Sequence, residues 1–461
     1  MKTRLTLIAL AAVLLAGCAA GPAAKAPDVP APTAWSLTGG DVAPDWAGLL
    51  DPTLAALQER ALAANRDIAI AAQRWKQAQL LADQGALRWT RNASLSYNAS
   101  RPVETQSSTR NVDIGGVTVP VTTSTGWSRS YGASLSAGYE LDLWDRLGQA
   151  NAAQRANAEA ARTDVDAARL SICGQVAEAY WNLAAIRLQR PLTEAQLAIT
   201  RETLELTRQR VREGKLLPVE LDKIAVNLQD AESRLADLAA DAQLQRHILA
   251  LLLGEPLPGP LPDAALPTGE PPRWRLAEPA DVLARRPDVQ KARLAVDASL
   301  ARLRASEADR YPRLSFSAGL STGGTKASDW LSQPLASFAA NLVVPMIDWQ
   351  RLALQRDGAR SELDTAALTL RDTLQKALAD IETQRIEAER LAQQLAANAG
   401  RLREATENER LAALRYDVGA INRADWLLTR SALLDAQQTR IRLQAQQWLR
   451  QAALFKALGG A

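Results

Sequence analysis

Residues able to do covalent or metal chemistry are few in this chain of 461 residues. It has one histidine, His247, and two cysteines, Cys18 and Cys173. His247 falls in a Leu-rich stretch whose spacing predicts a helix face, and Cys173 sits among small apolar neighbours that read as packing. That leaves little material for a metal centre or a nucleophile. Gly319 to Lys326 approaches a phosphate-binding loop, but it ends Gly324-Thr325-Lys326, lacks the required Gly-Lys-Ser/Thr order, and is read as a loop between strands. No ATP site or proton-relay segment is evident, and the residues argue against an enzyme. The formal net charge of +3 gives no electrostatic case for nucleic acid.

Cys18 is the exception, because of what precedes it. Lys2 and Arg4 lead into an apolar run from Leu5 to Ala16, too short to span a bilayer permanently. The run ends in Leu15-Ala16-Gly17-Cys18, which resembles a bacterial lipobox. In such signals the peptide is cut before the cysteine, which then receives acyl chains. Residues 1–17 are therefore expected to be a lipoprotein signal peptide, and 18–50 a lipidated tether with a Pro/Ala/Gly-rich start. The covalent lipid on Cys18 is the only attached group the sequence implies. Ala19, rather than Asp, follows it, which by the sorting pattern implies the outer membrane. No later stretch is long enough for a transmembrane helix, so any spanning structure must be made of strands.

The elements are written twice. At a shift of 205 positions Trp144, Arg146 and Leu147 fall on Trp349, Arg351 and Leu352. The same shift carries Arg210 and Gly214 to Arg415 and Gly419, and Leu253 and Gly254 to Leu458 and Gly459. Upstream the shift is 221, placing Asp67 on Asp288 and Ser94 on Ser315, so the first copy holds 16 extra residues between its strands. Residues 51–254 form the first copy and 280–461 the second. The Pro/Gly-rich segment 255–279 is read as a linker.

Each copy reads as a helix (about Ile68 to Arg88; Val289 to Arg310), a strand, a loop, a second strand and a very long helical stretch. The long stretches run from about Gly148 to Glu213 and Leu352 to Asp417, and Gly214 or Gly419 then turns the chain into a return helix. Some 65 helical residues would be roughly 100 Å long. Pro191 predicts a break or bend in the first of them. Apolar residues amount to 47% but aromatics to only 5%, and spacings such as Leu370, Leu374, Leu378 and Ile381 are coiled-coil material.

Strands are expected at about 91–101, 128–142, 312–322 and 336–345. In each, small polar residues alternate with apolar ones, as in Leu314, Phe316, Ala318 and Leu320. One greasy and one polar face suit a membrane barrel, and aromatics such as Trp89, Trp127, Tyr139 and Tyr311 suit its interfacial belts. Lipid tolerates no open sheet edge, and four strands cannot close. Copies must complete the cylinder; three would give twelve strands, while the sequence equally permits two or four. The segment from Val103 to Gly126 is read as an exterior loop, with Gly323 to Pro334 as its counterpart.

These residues resemble the outer-membrane efflux lipoproteins of the TolC family, NodT-type exit ducts of resistance-nodulation-division pumps. The resemblance rests on the Cys18 lipobox, Ala284-Arg285-Arg286-Pro287-Asp288-Val289, Tyr311-Pro312-Arg313-Leu314-Ser315, Tyr139-Glu140-Leu141-Asp142-Leu143-Trp144 and Arg415-Tyr416-Asp417-Val418-Gly419-Ala420. It covers nearly the whole mature chain, duplication included. It implies a mixed α and β membrane protein: a homotrimer with a twelve-stranded outer-membrane β-barrel, four strands per chain, continued by a periplasmic α-helical coiled-coil barrel. It implies partners too: outer-membrane lipid, a periplasmic adaptor (membrane fusion) protein and an inner-membrane pump.

The resemblance also assigns sites. It puts the periplasmic gate at Asp425, six residues after the tip glycine, with Arg415 and with Tyr416 bonded to Glu220 on the other hairpin. A second aspartate of the family pattern is replaced by Leu428. Gly214, Lys215, Leu216, Val418, Gly419 and Ala420 are implied as adaptor docking points. The other readings are the duct of a type I protein secretion system and a non-conducting coiled-coil scaffold lipoprotein.

Overall fold

The computed structural model describes residues 51–100, 107–124, 128–259, 264–267, 269, 279–326, 328, 331, 333–345 and 347–460. The leader, Cys18, the tether, Trp127 and much of the linker lie outside them. Contacts divide the chain by architecture rather than by repeat: one unit includes Ala78–Ala156 and Asp297–Thr365, the other Asn157–Val296 and Ala366–Ala461 together with the residues up to Gln77.

In the first unit, β1 (Trp89–Ser100), β4 (Ser128–Leu141), β5 (Arg313–Gly324) and β6 (Leu335–Val343) form an antiparallel sheet in the order β1-β4-β5-β6. Registers set Ala93 beside Leu135, Leu135 beside Leu320, and Leu320 beside Ala336. Next along the strands come Ala137, Ala318 and Phe338, then Trp89, Tyr139, Phe316 and Ala340. Every row of that face is apolar or aromatic but for Arg91, Arg129 and Thr322, and its large side chains are bare: Leu95 is 77% exposed and Phe338 75%. The opposite face carries Ser94, Ser134 and Ser321, with Ser94 Oγ and Ser134 Oγ 2.8 Å apart. Both outer strands keep a free edge within the chain.

The segment Val103 to Gly126 is not a plain loop. It contains a hairpin of β2 (Ser107–Ile114) and β3 (Val117–Ser124), with Val112 opposite Val119. Gly115 and Gly116 turn it at φ 66° and 85°, the double positive φ that matches strand twist in a two-residue turn. Likewise Gly319 to Gly324 is strand, not loop.

The sequence motifs meet where the strands end. Trp144 stacks on Tyr311 with ring centroids 4.9 Å apart, and its Nε1 donates to the Pro312 carbonyl at 2.8 Å. Arg146 pairs with Glu140 at 2.7 Å. Asp142 accepts from the backbone N–H groups of Leu147 and Gly148, satisfying donors that a helix start leaves bare.

The second unit is helical. It holds α1 (Pro52–Ala64), most of α2 (Arg66–Ala86), the greater part of α3 (Arg146–Arg212), α4 (Pro218–Leu252), α5 (Pro279–Arg285), the start of α6 (Pro287–Ala308), much of α7 (Trp349–Asp417) and α8 (Arg423–Ala457). The expected break at Pro191 does not occur, for α3 is continuous. Packing along so long a helix offsets the missing N–H and the ring's clash with the preceding turn, about 3 kcal/mol, and beside it Thr193 Oγ1 donates to the Gln189 carbonyl at 3.1 Å. Among the described residues no helix is long and apolar enough to cross a membrane.

The main core gathers Leu54, Leu57, Val176, Tyr180, Trp181 and Trp448, the two indoles 6.0 Å apart. Duplication is visible in single contacts. Asn65 Nδ2 donates to the Leu252 carbonyl at 3.0 Å, and Arg286, its counterpart, donates to the Ala457 carbonyl at 2.6 Å.

Candidate functional site

Both hairpin tips close in the same way. After α3, the Lys215 N–H reaches back to the Arg210 carbonyl at 2.8 Å and the Gly214 N–H to Val211 at 3.0 Å. After α7, Ala420 bonds Arg415 at 2.7 Å and Gly419 bonds Tyr416 at 2.9 Å. This pairing demands a left-handed residue, and Gly214 (φ 69°) and Gly419 (φ 73°) supply it. A Cβ at either would meet nothing within 4 Å. Around them Val418 is 80% exposed, Ala420 is exposed and Leu216 is half-buried. Lys215 Nζ lies 2.8 Å from Glu213 and, with Gln209, holds that carboxyl below its usual range.

The return helices start differently. Pro218 opens α4 without a side-chain cap, and Glu220 in its first turn pairs with Lys223 at 2.8 Å. Asn422 caps α8: its Oδ1 accepts from the Asp425 N–H at 3.1 Å and its Nδ2 donates to Asp425 Oδ2 at 2.6 Å. Asp425 is exposed, and a carboxylate at a helix start is also favoured by the helix dipole.

Tyr416 is not brought to Glu220 within the chain. It stacks on Trp426, with centroids 5.4 Å apart and planes 8° from parallel. Arg423 lies over both rings, 5.3 Å from Tyr416 and 4.2 Å from Trp426. The same guanidinium ties α8 to α3, with Nε 2.6 Å from Glu202 Oε1. The Glu202 hydrogen bond is the leading cause of the raised Arg423 pKa. Trp426 Nε1 adds a 3.2 Å bond to Glu409, and Arg430 stands 5.4 Å from the indole. Arg415 is exposed and enters the tip through its carbonyl.

Sequence reading overlooked Glu202, Arg423 and Trp426. Arg423, Trp426 and Arg430, spaced by three and four, share a helix face, and that spacing was the available signal.

A four-stranded sheet with a bare apolar face and open edges, in one chain with two long helical hairpins, defines the protomer of a membrane duct. The chain belongs to the outer membrane efflux protein family, whose sequence profile matches residues 57–255 and 279–460. It is similar to Nodulation protein T of Rhizobium leguminosarum bv. trifolii, 25% identical over 97% of this chain and 95% of that one. The Pyoverdine export outer membrane protein OpmQ of Pseudomonas aeruginosa is 28% identical over 72% of this chain and 70% of its own. Among solved structures, the outer-membrane channel OprN superposes with a TM-score of 0.78 at 23% identity, covering 96% of this chain and 99% of that one. The open state of the Neisseria gonorrhoeae MtrE outer membrane channel gives 0.76 at 22% identity, over 96% and 98%. The fold is thus that of these channels.

Proposed function

We propose that this protein is the outer-membrane component of a tripartite efflux pump, a passive duct through which drugs or other small toxic compounds leave the periplasm. Three copies close a twelve-stranded barrel, and Cys18 carries the lipid that anchors each chain. The observation that carries the reading is the open-edged sheet. Its bare apolar face suits lipid, and its two free edges cannot remain unpaired in hydrocarbon. The energy for transport comes from an inner-membrane pump, of the resistance-nodulation-division type by resemblance, joined through a periplasmic adaptor.

In this reading the adaptor meets Gly214, Lys215, Leu216, Val418, Gly419 and Ala420, where small residues and open space allow close approach of another helix end. Asp425, Glu220, Tyr416 and Arg415 belong to the gate. Asp425 carboxylates from three chains, converging on one axis, repel one another and draw cations. The test is single-channel recording in planar bilayers. The wild-type trimer should conduct, and Asp425→Ala should conduct more. A wild-type protein that forms no pores contradicts the duct, whereas an unchanged conductance in the variant contradicts only the gate.

A further inference from the structure

Cations at the two ends of the four-stranded sheet have different surroundings. β1 follows α2 and β4 runs into α3, so Trp89 and Tyr139 lie at the helical end, and Ser100 and Ser128 at the far end. At the helical end carboxylates meet the guanidinium groups. Arg146 lies 2.7 Å from Glu140, Arg351 3.0 Å from Asp348, Arg88 3.8 Å from Asp142 and Arg313 3.9 Å from Asp309. The far end holds Arg129 on β4 and Lys326 just after β5. Both are exposed, and neither has an ion-pair partner among the described residues. The strand ends there, 96–100, 128–134 and 320–326, contain no Asp or Glu.

Arg129 belongs to the bare apolar face. It stands opposite Ala99, one row beyond Tyr97 and Tyr131, whose rings lie 5.0 Å apart. Gly324 pairs with Tyr131 and Lys326 follows two residues later, so the two cations come from neighbouring strands at one end. In a barrel wall, aromatic side chains mark the headgroup level. A charge on the lipid side is costly at the midplane and nearly free at the interface, where long stems carry their heads outward. Arg129, outside the tyrosines, is set at the level of lipid phosphates. At the shift of 205 its counterpart is Pro334, so the sheet itself does not need a charge at this place. Ser128, Ser130 and Thr325 flank the two cations with hydroxyls suited to a sugar.

We propose that Arg129 and Lys326 form a site for the phosphate of a phosphorylated glycolipid in the outer leaflet, beside Tyr97 and Tyr131. The guanidinium takes phosphate in a two-bond fork, and the ammonium adds a point charge. Acyl chains then lie along Leu95, Ala133 and Leu320 of the same face. The site rests on the barrel proposed above and adds the class of lipid that its outer rim holds.

Full-length trimer in a neutral detergent, titrated with diphosphoryl lipid A and followed by native mass spectrometry, tests it. Wild type should bind, and should bind monophosphoryl lipid A more weakly. Arg129→Gln and Lys326→Gln should each weaken diphosphoryl lipid A binding about fivefold, the effect of one cation at an anionic lipid surface. Arg401→Gln, at an exposed arginine of α7, should change nothing. Four results would overturn the site and leave the duct standing: an intact trimer that binds no lipid A, equal binding of the two lipids, wild-type affinity in the double variant, or an equal loss in Arg401→Gln. Release of the lipid by millimolar inorganic phosphate would show a site for the free ion and overturn the lipid assignment. Protein that is monomeric in detergent would overturn the barrel and, with it, the site.

Discussion

Arg286 shows what the motif at 284–289 does physically. Its guanidinium holds Asp288 with two bonds of 2.8 and 3.0 Å, touches Asp380 at 3.2 Å and donates to the Ala457 carbonyl at the end of α8. Burial opposes charge on Asp288, but the Arg286 guanidinium outweighs it and holds that carboxyl below the usual aspartate range. A depressed carboxylate contributes stability above its unfolded-state pKa of about 3.9, and that contribution is lost as pH falls through the lower folded value. Asp288→Asn should therefore flatten the acid limb of thermal stability below about pH 4 and lose stability at neutral pH. Arg286→Ala should cost about 2 kcal/mol in denaturant melts of detergent-solubilised protein, less than a fully buried pair because both carboxylates are half in water. Arg286→Lys should recover only part, since an ammonium cannot make the paired fork. The motif's presence was legible in the sequence. Its partners were not, because Asp380 and Ala457 are brought to it by the packing of other helices.

Individual elements were read well where a single period governs them. The strand alternation put the apolar residues on one face, and the tip glycines marked where the long helices stop. The β2–β3 hairpin was missed although Asp113-Ile114-Gly115-Gly116-Val117 spells a two-residue turn between valine-bearing strands; Ser/Thr richness masked it. Pro191 does not break α3, because tertiary packing outweighs one local penalty. Glycines that look alike in sequence differ in surroundings. At Gly254 (φ 73°) an added Cβ would lie 2.7 Å from the Ala64 carbonyl oxygen, whereas at Gly214 it would touch nothing. Gly214→Ala should thus cost only the left-handed strain of about 1 kcal/mol, and Gly254→Ala clearly more, as thermal midpoints of the two variants would show. Gly419→Trp has the same open space. It should leave the trimer intact yet abolish drug resistance in a cell that depends on this duct, and normal resistance would refute docking there.

For the whole molecule, the decisive fact was written in the residues but needed the sheet order to be complete. Alternation alone fits a half-buried soluble sheet as well as a barrel wall. Pairing β4 with β5 joins the two copies into one sheet and leaves β1 and β6 outermost. Purified mature protein should accordingly need detergent to stay dispersed and migrate as an oligomer that heat separates. Light scattering that found a stable monomer in plain buffer would contradict this.

Those two outermost strands also bear on how the cell must handle the polypeptide before insertion. A newly exported copy offers adhesive ribbons to any other extended chain it meets. Overproduction that outruns association should yield aggregates and proteolytic fragments rather than a reserve of spare subunits.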